Sequence, residues 1–233
     1  MPEAPVLVVG ATGRTGRLIV GRLLDRDVPV RALVRDAAKG ERVLPSEVPQ
    51  FVADVRRVES LTEAMAGAGA VIIATCGSSG RDNDSELVDY HGTRNVIEQA
   101  ATANVEVIVF ISTIYASRPG HYQDVAPTSL GWKARAEEVI RESEIPYCII
   151  RSGWLTDGGG GEPLAVSQGD MAEGQISRSD LASVCTQLLF VPDARGKTFE
   201  LVAARTEQAS SLQSAVTALT PDDMPPTRVP KRD

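Results

Sequence analysis

The sequence predicts an α/β fold with a doubly wound parallel sheet, and three observations lead to this prediction. Short apolar runs, typical of strands buried on both faces, alternate with amphipathic segments along the chain. The first run is followed directly by a glycine-rich turn, GATGRTG, at Gly10–Gly16. The segment Val6–Arg35 as a whole has the strand–helix–strand order of a βαβ unit. In such sheets a ligand is expected at the carboxyl ends of the strands.

The opening unit shows this pattern most clearly. Val6–Val9 is a purely apolar strand, and Val28–Val34 is a second β-rich run. Between them, the apolar residues of Thr15–Asp25 recur at helical spacing. Glycines in the turn permit a backbone path that a Cβ would block, and they let the backbone approach a pyrophosphate closely. Because the helix N-terminus then offers unpaired N–H groups to phosphates, a nucleotide site is expected here.

The residues after the second strand indicate which dinucleotide is bound. An acidic residue there would bond the ribose 2′-hydroxyl of NAD, whereas an arginine accommodates the 2′-phosphate of NADP. The strand ends in Val34-Arg35-Asp36, with Lys39 close behind, and Arg14 lies in the glycine turn. Arg35 is expected at the ribose, which favours NADP(H). The alternative is that Arg35 is a solvated loop residue and that Asp36 bonds the ribose.

Composition and charge exclude several other classes. The 233 residues fit one α/β domain, and 42% hydrophobic content is ordinary for a chain that buries a core. The net charge of −7 argues against nucleic acid or an anionic membrane as a partner. The N-terminus is expected to be neither a signal peptide nor a membrane span. Cys76, Cys148 and Cys185 are interpreted as buried thiols of a reducing compartment, so a cytoplasmic location is expected, and no metal site is visible.

The remaining elements are expected in βα order. Residues 36–50 are charged and contain two prolines, which predicts a loop with one helical turn at most. The capping-box spacing Ser60–Glu63 opens a short helix. The further strands are Gln50–Ala53, Ala70–Thr75, Val105–Ile111, Pro146–Ile150 and Thr198–Val202. The further helices are Ser85–Ala103, Thr128–Ser143, one capped by Ser177 or Ser179 and running through Leu189, and Ser210–Leu219.

We expect one domain over residues 1–233, with about 154–233 forming a small C-terminal substrate lobe and a loosely held Pro-rich tail. The glycine run Gly158–Gly161 is flexible enough to serve as a lid or hinge. Cofactor contacts are expected from the glycine turn and from the strand ends. These residues are Gly10, Thr12, Gly13, Arg14, Thr15, Gly16, Arg35, Asp54, Ala74, Thr75, Cys76, Ser112, Ser152 and Gly153.

Several short motifs occur together along roughly residues 5–203. They are GATGRTG, Arg35, Ala53-Asp54-Val55, Val88-Asp89-Tyr90 with Gly92-Thr93-Arg94-Asn95, Ile111-Ser112-Thr113, Lys133 with Ala136-Glu137, Ile150-Arg151-Ser152-Gly153 and Ile176–Ala182. Jointly they resemble the atypical short-chain dehydrogenase/reductases, which have a Rossmann fold. The nearest group holds NAD(P)H-binding proteins akin to biliverdin reductase B (flavin reductase) and NmrA-like sensors. The resemblance implies that Asp54 and Val55 meet the adenine and that Ser152 and Gly153 flank the nicotinamide.

The same resemblance implies a catalytic group, with one departure. Active members use a Ser that orients a carbonyl, a Tyr that donates a proton as hydride leaves the nicotinamide, and a Lys four residues later that holds the ribose. Ser112 and Lys133 match this pattern, so both are added to the catalytic and cofactor-binding candidates. Ser129 stands at the tyrosine position, and its hydroxyl is a far poorer acid.

Three interpretations of that departure stay open. In the first, NADPH reduces a small planar acceptor, such as a flavin, quinone or linear tetrapyrrole, that needs little acid help. In the second, Tyr115 or Tyr122 supplies the proton from the loop after Val105–Ile111. In the third, the chain does not turn over and acts as an NADP(H)-dependent sensor or partner-binding protein. A nucleotide-sugar epimerase is disfavoured because the tyrosine is missing and the segment after residue 153 is short. The expected partner is a small-molecule substrate, and the chain is expected to be a monomer or homodimer.

Overall fold

The computed structural model of the protein describes residues 4–77, 84–118, 127–204 and 211–223. The strands are β1 (Val6–Val9), β2 (Val30–Val34), β3 (Gln50–Val52), β4 (Ala70–Ile73), β5 (Val107–Thr113), β6 (Tyr147–Ser152), β7 (Trp154–Thr156), β8 (Leu164–Ser167), β9 (Gln175–Ser177) and β10 (Lys197–Ala203). The α-helices are α1 (Arg14–Leu24), α2 (Ala37–Val43), α3 (Thr62–Met65), α4 (Gly92–Thr102), α5 (Pro127–Arg141), α6 (Arg178–Leu188) and α7 (Leu212–Thr217). The chain also forms 3₁₀ turns at Val58–Leu61 and Pro192–Ala194 and a π-helical segment at Glu86–His91.

Eight of the strands form one sheet in the order β3-β2-β1-β4-β5-β6-β10-β8. Neighbouring strands are parallel except for β8, which runs antiparallel to β10. The order 3-2-1-4-5-6 is that of a Rossmann fold, which confirms the predicted doubly wound parallel sheet. The direction of winding reverses between β1 and β4, so a crevice is expected where these two strands end.

The central strands are buried on both faces by two helical layers. On β1, Val6 and Val8 pack into one core with Ile19 of α1, whereas Leu7 and Val9 pack into the core on the opposite face. Helices α1 and α6 pack against each other on the first side, and α4 and α5 cover the second. Because each strand has no solvent-exposed face, its sequence is a continuous apolar run without polar alternation.

The structure differs from the sequence prediction mainly in the connections. Residues 36–50, predicted as a loop with one helical turn, contain the seven-residue helix α2 before the loop. This helix is longer than predicted because Asp36 accepts a hydrogen bond from the Lys39 amide at 3.1 Å and caps it. The capping box predicted at Ser60 was wrong. The Ser60 hydroxyl binds the backbone of Asp54 instead, and a 3₁₀ turn leads into the short α3. The long helix predicted at Ser85–Ala103 begins as the π-helical segment before α4.

The residues after β6 contribute to two sheets. Strands β8 and β10 extend the main sheet, while β7 pairs with β9 in a separate two-stranded sheet. Strands β7, β8 and β9 were not predicted, because such short strands give little periodicity. Ser177, one of two predicted caps, accepts the Asp180 amide at 2.9 Å and starts α6. The predictions for Tyr122 and for most of the tail fall outside the described residues. Within the described ranges, none of the helices combines the length and apolarity that a membrane crossing requires.

Candidate dinucleotide-binding site

A cleft of about 390 Å³ lies at the carboxyl ends of β1, β2, β3 and β4. The predicted cofactor residues that line it are Gly10, Thr12, Gly13, Arg14, Thr15, Arg35, Asp54, Val55, Ala74, Thr75 and Cys76. Leu33, Lys39, Ala53, Val88, Leu155 and Arg178 complete the described lining, although they were not among the predicted contacts. The cleft lies at the switch point of the sheet, where open α/β folds bind their ligands.

Two glycines of the turn are required by close backbone packing. Gly10 has a φ of +85°, and a Cβ there would lie 2.9 Å from the Ala74 carbonyl oxygen. A Cβ on Gly16 would lie only 2.2 Å from the Gly10 carbonyl oxygen. Gly16 therefore lets α1 start immediately behind the turn, and it shapes the cleft without lining it.

The N-terminus of α1 lies at the cleft with its first amides available to a ligand. Gly13 is the N-cap residue and has no side chain to accept a hydrogen bond from those amides, and the first turn contains no acidic residue. Both Gly13 and Thr15 line the cleft. Unpaired amides and the positive end of the helix dipole favour a bound anion at this point. This end of the cleft suits a pyrophosphate.

Positive charge dominates the described wall of the cleft. Its basic residues are Arg14, Arg35, Lys39 and Arg178, and its one acidic residue is Asp54. The Arg56 guanidinium binds both oxygens of Asp54, with a shortest contact of 2.6 Å. Hydrogen bonding to Arg56 holds the pKa of Asp54 below its ordinary value, and the charge of Arg35 contributes to the same effect. An anionic ligand is therefore favoured in this cleft.

The alternative ribose ligand, Asp36, is used by the protein itself. One of its carboxylate oxygens caps α2 through the Lys39 amide, and Asp36 is not among the described residues that line the cleft. The cap also sets the direction of α2, so that Lys39 joins Arg35 in the cleft wall. Two cations, and not a carboxylate, are thus presented to the cleft beside β2.

Asp157, just after β7, reaches across the chain to the glycine turn. Its carboxylate pairs with Arg14 at 3.0 Å and with Arg178, the first residue of α6, at 2.7 Å. Arg178 is mostly buried, whereas Arg14 and Asp157 are largely exposed. Neither Asp157 nor Arg178 was predicted as a site residue, because only the folded chain brings them to the glycine turn.

Ser112 lies at the end of β5 and donates its proton to a buried carboxylate. Its hydroxyl is 2.6 Å from Oε1 of Glu137, and this oxygen also accepts from Arg151 at 3.0 Å. The other oxygen, Oε2, accepts from Arg151 and from Arg141, each at 2.7 Å. A serine hydroxyl has a single proton, so in this arrangement Ser112 offers a ligand only an acceptor. Glu137 and Arg141 follow Lys133 at intervals of four residues along α5, and this helical spacing was the available sequence signal.

Lys133 on α5 is buried directly behind the wall of the cleft. Its Nζ lies 3.0 Å from Oδ1 of Asp89, 2.9 Å from the carbonyl oxygen of Thr75 and 3.3 Å from that of Ile111. The same Asp89 carboxylate accepts the Gly77 amide at 3.1 Å. Lys133 is not among the described lining residues, so its contact with the cofactor ribose stays a prediction.

Tyr115 is held in the loop after β5 and is almost fully buried. It adopts a φ of +66°, and its amide donates to Oδ1 of Asp170 at 2.6 Å. Asp170 also accepts from the amide and the hydroxyl of Ser117, at 2.9 and 2.6 Å, and so fixes this loop. Ser129, at the expected tyrosine position, is half-buried one helical turn before Lys133.

The predicted nicotinamide residues lie at the end of β6. Ser152 is buried, and its hydroxyl donates to the Ser112 carbonyl oxygen at 3.2 Å. A Cβ on Gly153 would lie 2.7 Å from the carbonyl oxygen of Gly174, so the glycine is needed for close packing. Neither Ser152 nor Gly153 is part of the described cleft lining, and their contact with the cofactor stays a prediction.

The three cysteines are free thiols, but they do not share one environment. Cys148 and Cys185 are buried as expected, and burial raises the pKa of the Cys148 thiol to about 12. Cys76 is exposed in the cleft wall, so its predicted burial was wrong. Cys76 lies three residues beyond the end of β4, after the half-buried Ala74 and Thr75, and is therefore outside the core. No group of three or more His, Cys, Asp or Glu side chains among the described residues is placed to hold a metal ion.

The sheet order, the glycine turn and the basic cleft together define a dinucleotide-binding protein of the Rossmann class. Comparison with known families makes this more specific: the NAD(P)H-binding family matches residues 10–192. The chain therefore belongs to that family.

Relatives and solved structures cover most of the chain. It is 32% identical over 225 residues to an uncharacterised chloroplastic protein of Arabidopsis thaliana, covering 85% of this chain and 69% of the relative. It is 29% identical over 262 residues to the sanguinarine reductase of Eschscholzia californica, covering 91% and 96%. The anaerobillin reductase ChuY of Escherichia coli O157:H7 has a similar structure, with a TM-score of 0.77 and 23% identity over 88% of this chain and 100% of that one. A short-chain dehydrogenase/reductase of Veillonella parvula in complex with NADP has a TM-score of 0.73 and 15% identity over 88% and 97%. At these identities the two structures show the fold.

Proposed function

We propose that this chain is an NADP(H)-dependent reductase of the atypical short-chain dehydrogenase/reductase type. One observation carries the cofactor assignment: Arg35 and Lys39 line the same cleft as the open N-terminus of α1, while Asp36 is used as a helix cap. A dinucleotide with a pyrophosphate and a ribose 2′-phosphate satisfies both anion-binding features at once. Membership of the NAD(P)H-binding family supports this proposal.

Different residues of the cleft bind different parts of the cofactor. The glycine turn, with Thr12 and Thr15, holds the pyrophosphate at α1, and Arg14 adds positive charge there. Arg35 and Lys39 hold the 2′-phosphate as charge-assisted donors.

The adenine and nicotinamide ends complete this assignment. Asp54 and Val55 border the adenine, and Ala74, Thr75 and Cys76 form the adjoining wall. Ser152 and Gly153, at the end of β6, flank the nicotinamide as the family resemblance implies. When bound, the cofactor supplies a hydride to the acceptor.

We propose a small planar acceptor, such as a flavin, a quinone or a tetrapyrrole-like molecule, taken near the end of β5, where Ser112 and Tyr115 lie buried. The Ser112 hydroxyl donates its hydrogen bond to Glu137, and Ser129 replaces the tyrosine, so an acceptor that needs little acid help fits this chain best. The printed names of two similar proteins, sanguinarine reductase and anaerobillin reductase, are in line with a reductase.

The same observation on Ser112 and Ser129 favours a second candidate function. In this alternative the chain binds NADP(H) without turnover and acts as a sensor or partner-binding protein. The two candidates share the cofactor site and differ only in hydride transfer.

A titration followed by an oxidation assay separates the two functions. Purified protein is titrated with NADPH and NADH, and loss of reduced-nicotinamide absorbance is then followed with flavin, quinone and tetrapyrrole acceptors. Tight NADPH binding with acceptor-dependent oxidation supports the reductase. Tight binding without oxidation supports the sensor, and the absence of NADPH binding contradicts both.

The substrate, the compartment and the oligomeric state of the protein are part of the same proposal. Its partner is a small-molecule substrate, taken on the side formed by residues from about 154 onward, within one domain. The three free thiols support a cytoplasmic location. Light scattering on the full chain distinguishes a monomer from a homodimer, and imaging of a tagged chain checks the compartment.

A further inference from the structure

The Lys133 ammonium has one acceptor for each of its three protons. Asp89, at 3.0 Å, supplies a carboxylate oxygen, and Thr75 and Ile111 supply carbonyl oxygens at 2.9 and 3.3 Å. A lysine ammonium donates three hydrogen bonds and accepts none. Lys133 is 7% exposed, so water does not compete freely for these positions. The ammonium is therefore fully used by the protein itself.

These three acceptors belong to different parts of the chain. Thr75 follows β4 and lines the cleft, Ile111 is part of β5, and Asp89 lies in the π-helical segment. Asp89 is 1% exposed and also accepts the Gly77 amide, at 3.1 Å. The ion pair thus joins the ends of β4 and β5 to the π-helical segment, and it holds both ends of the wall segment Thr75–Gly77.

We infer that Lys133 and Asp89 are positioning residues, and that their ion pair holds the Thr75–Gly77 wall in the shape that the cofactor needs. The family resemblance implies that Lys133 donates to the cofactor ribose. In our inference Lys133 acts instead through the Thr75–Gly77 wall. The part of the inference that concerns the cofactor rests on the proposed function.

The cost of releasing Lys133 supports this assignment. To donate to a ribose hydroxyl, the ammonium would have to leave Asp89, Thr75 or Ile111 with an unpaired buried acceptor. Removal of one member of a buried pair is strongly destabilising, because the remaining charge is uncompensated. Removal of both charges destabilises the protein much less, because no buried charge is left uncompensated. The two single variants should therefore melt at lower temperatures than the double variant.

A double-mutant cycle tests this inference. Lys133→Met, Asp89→Asn and the double variant are compared with the original chain by melting temperature, by hydrogen exchange of the peptide that contains Thr75–Gly77, and by NADPH Kd. Lys197→Met is the matched control. Lys197 is also buried, and its Nζ donates to the carbonyls of Val216 and Thr217 at 3.1 Å, away from the cleft lining.

We expect each single variant to melt on the order of 10 °C lower, to exchange the wall amides at least about tenfold faster, and to bind NADPH about tenfold more weakly. The double variant should recover most of the lost melting temperature, because no buried charge is left unpaired. It should keep the fast wall exchange and the weak NADPH binding, because the Lys133 hydrogen bond to the Thr75 carbonyl is still missing. Lys197→Met should lower the melting temperature while leaving the exchange of the wall and the NADPH Kd unchanged.

Two results would overturn the inference. One is a double variant that regains its melting temperature and slow wall exchange but binds NADPH as weakly as Lys133→Met, because that pattern shows direct contact with the cofactor. The other is a Lys133→Met variant with unchanged wall exchange. If the original chain does not bind NADPH, the proposed function fails, and the exchange and melting data of the cycle still decide whether the pair holds the wall.

Discussion

Replacement of Arg35 by alanine tests the cofactor assignment most directly. Arg35 lines the cleft at the end of β2, where the dinucleotide ribose is expected, and its neighbour Asp36 is used as the cap of α2. NADPH and NADH differ only in the 2′-phosphate of that ribose. The variant should therefore weaken NADPH binding selectively and leave NADH binding nearly unchanged.

The size of the effect follows from the charges in the cleft wall. A hydrogen bond to a charged group contributes about 1.5–3 kcal/mol, which corresponds to roughly 10- to 150-fold in Kd. Because Lys39 remains in the same wall, we expect the lower part of that range for Arg35→Ala, about 10- to 30-fold. Removal of Lys39 as well should weaken NADPH binding by about a further tenfold. The NADH Kd should stay within about twofold in both variants.

The assay is a pair of fluorescence titrations, with NADPH and with NADH, at one fixed ionic strength. Repetition at higher salt adds a second measurement, because screening weakens a contact between exposed charges. The NADPH advantage of the original chain should shrink with salt, and at every salt concentration it should be smaller in Arg35→Ala, where only Lys39 remains beside the 2′-phosphate. Arg94→Ala is the control, since this exposed arginine lies outside the described lining of the cleft.

Two outcomes would refute the reasoning. Equal losses for NADPH and NADH would mean that Arg35 shapes the cleft without contacting the 2′-phosphate. A preference of the original chain for NADH would mean that the ribose is bound through a hydroxyl, and that Asp36 leaves its capping position when the cofactor binds.

Three other properties follow from the structure. Asp157→Asn should tighten NADPH binding by about two- to fivefold at low salt, because the carboxylate no longer competes for the two arginines it pairs with; an unchanged Kd would count against this. In the native protein only Cys76 should react with a thiol reagent, because the other two cysteines are buried. NADPH should slow this reaction, since Cys76 lines the cleft. Rapid modification of Cys148 would contradict the burial that raises the pKa of its thiol. Hydrogen bonding to Arg56 lowers the pKa of Asp54 in the folded state, so its contribution to stability is present above about pH 4 and is lost as the pH falls through the lowered value. Acid unfolding of Asp54→Asn should therefore depend less on pH in that range than that of the original chain.

The parts of the fold that sequence analysis predicted best are those whose signals are local. The unit β1–α1–β2 carries a continuous apolar run, helical spacing and glycines where the backbone packs closely, and all three occur within the first 35 residues. Helix α2 was predicted as one helical turn at most, because its charged residues and the nearby prolines were weighed as loop signals. Asp36 directly before the segment was the signal for a helix start, since aspartate is a favoured N-cap.

The electrostatics of the cleft depend on contacts that no local pattern contains. Arg14 and Asp157 are separated by 143 positions in the chain, yet their side chains meet beside the glycine turn. Arg178 reaches the same carboxylate from the start of α6. The sequence allowed Arg14 to be identified, because it lies within the glycine motif. The carboxylate that now pairs with it could be found only after the chain was folded.

The catalytic candidates show why a motif locates residues more reliably than it assigns their chemistry. Ser112 and Lys133 lie where the family pattern requires, one at the end of β5 and the other on α5. Their chemistry depends on which groups accept their hydrogen bonds. Glu137 accepts the only proton of Ser112, and Asp89 with two carbonyls accepts those of Lys133. A donor that is saturated by buried acceptors cannot also donate to a substrate without leaving one of them unpaired. In the proposed reductase the two motif residues would therefore shape the site, and the proton needed by the acceptor would come from another group or from water.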